Sequence, residues 1–335
     1  MDIRDVDLAD PTQLRAWFAA LHAAHRHDRP QAPYWTEDEA LAMVRSDDPE
    51  ERFVPFNAHD PAGSVVGAGI VFLPLLDNLD KAYAEVSTVP GHRGRGVGAA
   101  LAGKTLAVAA ADGRKLLVVQ GHYPMDADES HPVRRFAARH GFTLGNSEVR
   151  RTLELPIPEE RLRAWAEEAA AFHAGYEIRT YVDLVPVELR PSYVLLLNQL
   201  AADAPTGDID FEAGGKTVEV YEEQARQQMA TGRTALISVA VRDGEAVAHS
   251  VLSVPPGDSE LPHLSQWGTL VRDDHRGHRL GLAVKTANLR AVQKAHPERT
   301  LVNTSNSPVN GPMVAINEKL GFRPVEVNAE FVRRL

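Results

Sequence analysis

A chain of 335 residues is long for one ordinary core and comfortable for two, at about 150 residues per domain, and 44% hydrophobic with 24% charged residues is a globular make-up. The absence of cysteine excludes disulfides, thiolate metal sites and a cysteine nucleophile. A net charge of −10 argues against general nucleic-acid binding and suits cationic small molecules better.

The acidic start, Met1-Asp-Ile-Arg-Asp-Val-Asp7, has no signal-peptide character, and no apolar run of about 18 residues follows, so no membrane span is expected and the cytoplasm is the expected location. Seven lysines against 29 arginines, with abundant alanine, point to a GC-rich bacterial genome. A strand near Ile3 leads to helices over 12–25 and 37–45, the second opened by the capping box Thr36-Glu-Asp-Glu39. His22, His25 and His27 have no partner cluster of acids and read as a solvated helix end; no metal is expected. Strands follow at 52–58, 64–73 and 82–89, then a glycine loop, a helix over 98–112, a strand over 115–120 and a helix over 132–140. From Pro158 to His173, Leu162, Trp165, Ala169 and Phe172 fall at helical spacing and predict a linker helix that packs the two domains together.

The second half predicts a strand at 177–182, helices at 187–201 and 218–230, and strands at 234–242 and 245–254 about the hairpin turn Asp243-Gly244. A strand at 266–271, a second glycine loop, a helix at 281–296, a strand at 300–304 and a helix at 312–320 complete it. Hairpins followed by strand–helix–strand–helix indicate a mixed α/β sheet. The two halves also share landmarks. His92-Arg-Gly-Arg-Gly-Val-Gly98 returns as His275-Arg-Gly-His-Arg-Leu-Gly281, 183 residues on from Arg93 to Arg276. Arg139-His-Gly-Phe142 returns as Lys319-Leu-Gly-Phe322, and Asp2-Ile-Arg4 as Glu177-Ile-Arg179. The chain is a tandem duplication, with domains at 1–156 and 176–335 and a linker over 157–175.

Arg93-Gly-Arg-Gly-Val-Gly98 lies between a strand and an alanine-rich helix, where small residues admit a phosphate and the first N–H groups of the helix point at it. One copy alone reads equally well as a solvated glycine turn; the repetition, with arginine at both 93 and 276, favours an anion site. Gly94-x-Gly96-x-x-Ala99 resembles a dinucleotide fingerprint, but the next strand ends in Val118-Val-Gln120 without the acid that binds ribose, and no P-loop lysine is present.

On Arg93, Gly96 and Gly98, matched by Arg276 and Gly281, and on the two helices that run into Gly-Phe, the sequence resembles the GNAT N-acetyltransferase superfamily. The resemblance covers nearly the whole chain and is to the tandem two-domain acetyltransferases of actinomycetes, an architecture shared with mycothiol synthase. It implies two acyl-CoA N-acyltransferase domains with acetyl-CoA as acyl donor. The pyrophosphate is expected on Arg93, Gly94, Arg95, Gly96 and Gly98, and on Arg276, Gly277, His278, Arg279 and Gly281. The pantetheine is expected along the strands ending near Val89 and Val271. Asn310 stands where the family often has a cofactor-contacting asparagine; Ser130 is its first-copy counterpart. Arg279 departs from the pattern, replacing the middle glycine, and His275 and His278 are expected to face phosphate or solvent.

The family's proton-donating tyrosine is replaced by Ala137 and Asn317, and of these Asn317 is expected to hydrogen-bond the sulfur. Glu85, on the strand before the first loop, holds the place of a base, with an outward strand carboxylate as the other reading. The corresponding second strand has no acid, although Glu260 and His263 lie just upstream; Trp267 on it is expected to be core or a pocket wall. Asp203-Ala-Pro-Thr-Gly-Asp-Ile-Asp-Phe-Glu212 falls where the family places its acceptor pocket, so Asp203, Asp208 and Asp210 are expected to attract an ammonium group, a solvated loop being the other reading. The expected function is transfer of an acetyl group from acetyl-CoA to the primary amine of a small cationic molecule, with catalysis in the second domain. A non-catalytic acyl-CoA sensor or scaffold and a protein N-terminal acetyltransferase are the alternatives; neither nucleic acid nor membrane is expected as a partner.

Overall fold

A computed structural model describes residues 1–27, 29–203, 205–212, 214–257 and 259–335. The chain forms two compact units: Met1–Ser147 with Gly207–Ile209 and Val327–Leu335, and Glu148–Thr206 with Asp210–Glu326. Among the described residues no helix is long and apolar enough to cross a membrane.

In the first unit the chain runs β1 (Asp2–Asp5), α1 (Pro11–His27), α2 (Glu37–Arg45), β2 (Glu51–His59), β3 (Val65–Pro74), β4 (Lys81–Thr88), α3 (Val97–Ala111), β5 (Leu116–Pro124) and α4 (Pro132–Arg139). The capping box forms as expected: Thr36 and Glu39 satisfy each other's backbone N–H groups at the start of α2. α1 buries Leu14, Trp17, Phe18, Ala20 and Leu21, and the Trp17 Nε1–H donates to the Gly69 carbonyl at 3.0 Å, which fastens the helix to β3. On this face Ile70 joins α1 and α2 in one apolar cluster; on the other, Ala84, Leu117 and Tyr123 pack with Val97 and Leu101 of α3 and Ala137 of α4. Strands β1 to β4 are antiparallel neighbours. β4 and β5 pair in parallel from Lys81↔Leu116 only as far as Ala84↔Val119, so the two strands part at Glu85.

β6 (Thr143–Glu154) begins in the first unit and enters the second at Glu148, followed by α5 (Glu159–Ala170), β7 (Glu177–Val182), α6 (Arg190–Asp203), α7 (Val218–Ala230), β8 (Thr234–Arg242) and β9 (Glu245–Val254). Then come β10 (His263–Val271), α8 (Leu280–Ala295), β11 (Leu301–Asn306), α9 (Gly311–Leu320) and β12 (Arg323–Arg334). Asp243 and Gly244 both take positive φ in the β8–β9 hairpin, as an Asp-Gly turn requires. β10 pairs in parallel with β11 through Ser265↔Asn303, and carries a bulge between Gln266 and Thr269. Leu162, Trp165 and Ala169 of α5 are buried in the core of this unit beside Leu282, Ala283 and Leu289 of α8.

The last strands of the repeats are exchanged. β6, which ends the first repeat, pairs with β11 from Leu301↔Glu154 to Asn306↔Val149, and β12, which ends the second, lies beside β5. The compact units differ from the expected domains at 1–156 and 176–335: residues 148–156 lie in the second unit, and 207–209 with 327–335 in the first. The exchanged β6 carries Arg150, whose guanidinium pairs with Glu326 at 2.6 Å and donates to Asn303 Oδ1 at 2.7 Å, all of it buried.

Candidate active site

In the first unit β4 ends at the glycine loop, and Val89, held by its N–H to the Val66 carbonyl, leads into a single turn of 3₁₀ helix. Gly94 and Gly96 both sit at left-handed φ, 75° and 83°, which only glycine adopts readily. A β-carbon at either would meet nothing within 4 Å, so the space over the loop is open. Gly96 caps α3 without a side-chain bond, which leaves the first N–H groups of a 15-residue helix facing that space. Arg93 and Arg95 are exposed beside it, and Arg95 has no ion-pair partner among the described residues. Gly98 faces inward instead: its β-carbon would press on the Phe136 ring at 3.0 Å, so here the motif serves helix packing. The donor set and the open cradle fit a pyrophosphate.

Glu85 begins the stretch of β4 that no longer pairs with β5, although it still pairs with β3. It lies opposite Ile70, on the face that carries α1 and α2, and is half-buried. The Tyr34 hydroxyl, from the segment between these helices, donates to Glu85 Oε1 at 3.3 Å. Burial pushes the Glu85 carboxyl above its ordinary range, while the Tyr34 hydroxyl, the Arg29 charge and the Ser87 hydroxyl favour the anion. Burial first, and then the Glu85 charge, push the Tyr34 phenol well above its usual value. Around this pair the His25 ring lies 4.3 Å from Tyr34 and 6.2 Å from His122, and His22 lies 5.4 Å from Phe18. His122 Nδ1 is 2.8 Å from Asn328 Oδ1, a side chain brought in by the exchanged β12. His22 and His25 are therefore half-buried members of an aromatic wall, not a solvated helix end. Ala137 is buried in the core on the opposite face.

The second unit differs at each point. Arg279 caps α8 at left-handed φ 52°, pairs with Glu168 of α5, and lies 4.2 Å over the Phe172 ring. Arg276 is 3.1 Å from Asp203 and 2.6 Å from Asp273. His278 donates to the Phe172 carbonyl at 3.0 Å, and His275 Nδ1 is 2.9 Å from the Tyr176 hydroxyl, so both histidines hold the segment after α5 instead of facing phosphate or solvent. Gly277 is left-handed and open, whereas Gly281 packs on Ile316. Val271 closes β10.

Past the point where β10 leaves β11, Leu200 of α6 fills the place a β-carbon on Gly268 would occupy, and His249 adjoins it. His249 is fully buried, neither ring nitrogen has a hydrogen-bond partner among the described residues, and burial lowers its pKa to about 4. His263 is buried and lies in the paired part of β10, short of the parting point. Trp267, expected to pack, is 39% exposed with Arg233 over its ring at 5.9 Å, because the bulge turns it out of the core.

Asn317, expected beside the sulfur, is wholly buried: its Nδ2 donates to Asn306 Oδ1 at 3.1 Å, and Asn306 also accepts from Arg151 at 3.1 Å. It belongs to an interior polar network. Asn310 caps α9 by accepting from the Met313 N–H at 3.3 Å. The acidic stretch is divided between the two units. Asp203 is engaged with Arg276; Asp208 belongs to the first unit, where its N–H donates to the Gly145 carbonyl at 2.8 Å; exposed Asp210 belongs to the second; and Ala204 lies outside the described residues.

No family model matches the chain, and no curated protein matches it. Solved structures do. A tandem GNAT protein from the clavulanic acid biosynthesis pathway superposes with a TM-score of 0.79 at 25% identity, covering 99% of this chain and 98% of that one. A GCN5-related N-acetyltransferase from Sphaerobacter thermophilus superposes with a TM-score of 0.64 at 15% identity, covering 99% and 95%, a likeness of fold. The chain is a tandem two-domain GNAT-fold protein. That fold is the one used by acyl-CoA-dependent N-acetyltransferases.

Proposed function

We propose that the protein transfers an acetyl group from acetyl-CoA to the primary amine of a small molecule, and that turnover takes place in the first unit rather than the second. The observation that carries this is Glu85: a half-buried carboxylate at the parting of β4 and β5, on the strand that ends in the open glycine loop. Backbone N–H groups at the start of α3, with Arg93 and Arg95, would hold the pyrophosphate, and Val89 would flank the pantetheine. The bound cosubstrate supplies an activated acyl thioester. The acceptor arrives as an ammonium ion, attracted by the Glu85 carboxylate, and must lose a proton before its lone pair can attack. Glu85 takes that proton, directly or through one water, and its upward-shifted carboxyl brings the base closer to working pH than an exposed glutamate. Tyr34 keeps the carboxylate oriented, and the rings of His25, His122 and Tyr34 wall off the acceptor and exclude water.

The test is thiol release from acetyl-CoA against a panel of small amines, with wild-type protein and Glu85→Gln. Release that depends on the amine and falls at least about a hundredfold in Glu85→Gln supports the reading. Cofactor binding without release against any amine would replace it with a sensor or scaffold, an outcome that the alanine at 137 makes worth the measurement.

A further inference from the structure

Two arginine-bearing glycine loops occur in this chain, but their cations are not equally disposed. In the first loop Arg95 is exposed and has no ion-pair partner among the described residues. In the second, Arg276 is held between Asp203 and Asp273, and Arg279 pairs with Glu168, which also takes Lys319 Nζ at 2.7 Å. Arg279 stands where the first repeat has a glycine, at a left-handed φ that disfavours an ordinary residue, so its surroundings must hold it there. The Phe172 ring lies against the guanidinium, and the Phe172 carbonyl takes the N–H of the neighbouring His278. Tyr176, further along the same segment, closes on His275.

A pyrophosphate entering this loop meets carboxylates already seated on its cations, an aromatic ring over one of them, and Leu200 against β10 where a pantetheine would run. We infer that the second loop is a latch closed by the carboxylates of its own unit, which clasps the segment after α5 and leaves the chain a single acyl-CoA site, in the first unit. This rests on the acyl-CoA reading of the first loop. The anion-binding geometry of the repeat is retained, and the anion is supplied from within by Glu168 and Asp203.

Titration calorimetry of the full chain with acetyl-CoA tests it. Wild-type protein should bind one equivalent, and Gly94→Glu, which sets a carboxylate in the first cradle, should bind none. Two equivalents in wild type, or one remaining in Gly94→Glu, overturns the latch and leaves the cofactor assignment standing. None in wild type overturns the cofactor reading and the predicted count with it. Because Gly94→Glu strains a left-handed position, Arg95→Glu provides a second variant: it should weaken binding without changing the count, and unchanged affinity counts against a site confined to the first loop. In the Gly94→Glu background, Glu168→Gln, Asp203→Asn and Arg279→Gly combined with Leu200→Ala should restore one equivalent; a folded variant that still binds none overturns the latch as the cause. A readout independent of cofactor is amide hydrogen exchange: Glu168→Gln alone should speed exchange across 171–176 several-fold, and unchanged exchange contradicts the clasp.

Discussion

Tyr34→Phe is the perturbation whose size is best defined by the geometry. It removes one hydroxyl and leaves a ring of the same shape beside His25. The lost bond, 3.3 Å from Tyr34 to Glu85 Oε1, is long for an O–H donor, which places it at the weak end of bonds to a charged group, about 1.5 kcal/mol. That bond stabilises the carboxylate over the acid, so its loss makes Glu85 take up a proton at higher pH. With about 1.4 kcal/mol per pH unit, the acid limb of kcat/KM should move up by about one unit. The plateau above it should change little, since the carboxylate remains. Thiol-release kinetics across the pH range, in Tyr34→Phe and wild type with the same amine, measure the displacement, the titration of the amine being common to both. An acid limb that stays in place, or moves to lower pH, refutes the claim that Glu85 is the titrating base and that Tyr34 supports its anion.

Three further outcomes follow from the packing. Glu326→Ala leaves the Arg150 guanidinium buried without its carboxylate, which should cost about 3–5 kcal/mol and lower the melting temperature by roughly 10 °C in a thermal melt. Lys285 is buried over the Phe322 ring, and burial lowers its pKa to about 7 from 10.5. The unfolded chain therefore binds the extra proton between these values, and stability should rise by roughly 5 kcal/mol as pH climbs through that window, a rise that urea unfolding should find flattened in Lys285→Met. Thr36→Ala removes the reciprocal cap of α2 and should cost about 1 kcal/mol by the same unfolding assay.

Much of the architecture is legible in residue patterns. α2, β7, α7, β8 and β9 lie where periodicity and turn chemistry put them, because Thr36 and Glu39, and Asp243 with Gly244, carry local geometry that needs no distant partner. The strands ending each repeat are harder to read. Thr143–Glu154 and Arg323–Arg334 are crowded with charge, and Arg150, Arg151 and Glu326 are buried only because each finds a partner across the fold. Strand exchange leaves no local mark at all. At the site, the loop can be seen in the sequence through the repeat and Glu85 through the family resemblance, but Tyr34 and His122 cannot. Each is one polar residue in an unremarkable stretch, and Tyr34 reaches Glu85 only through the tertiary placement of the segment between α1 and α2. Asn317 and Asp203 have chemistry suited to a site, and a buried polar network and an ion pair with Arg276 engage them elsewhere. The ion pairs of Arg276 and Arg279 with Asp203 and Glu168 span more than 70 residues and lie beyond any motif.

The central claim, that the first unit holds the acyl donor and performs the transfer, is tested most directly by a crystal structure of the full chain soaked with acetyl-CoA. Pyrophosphate density over Gly94–Gly98, with the thioester beside Ala84 and Glu85 and the loop at 276–281 still paired to Glu168 and Asp203, is the predicted result. Pyrophosphate seated on 276–281, with the first loop bare, would contradict it.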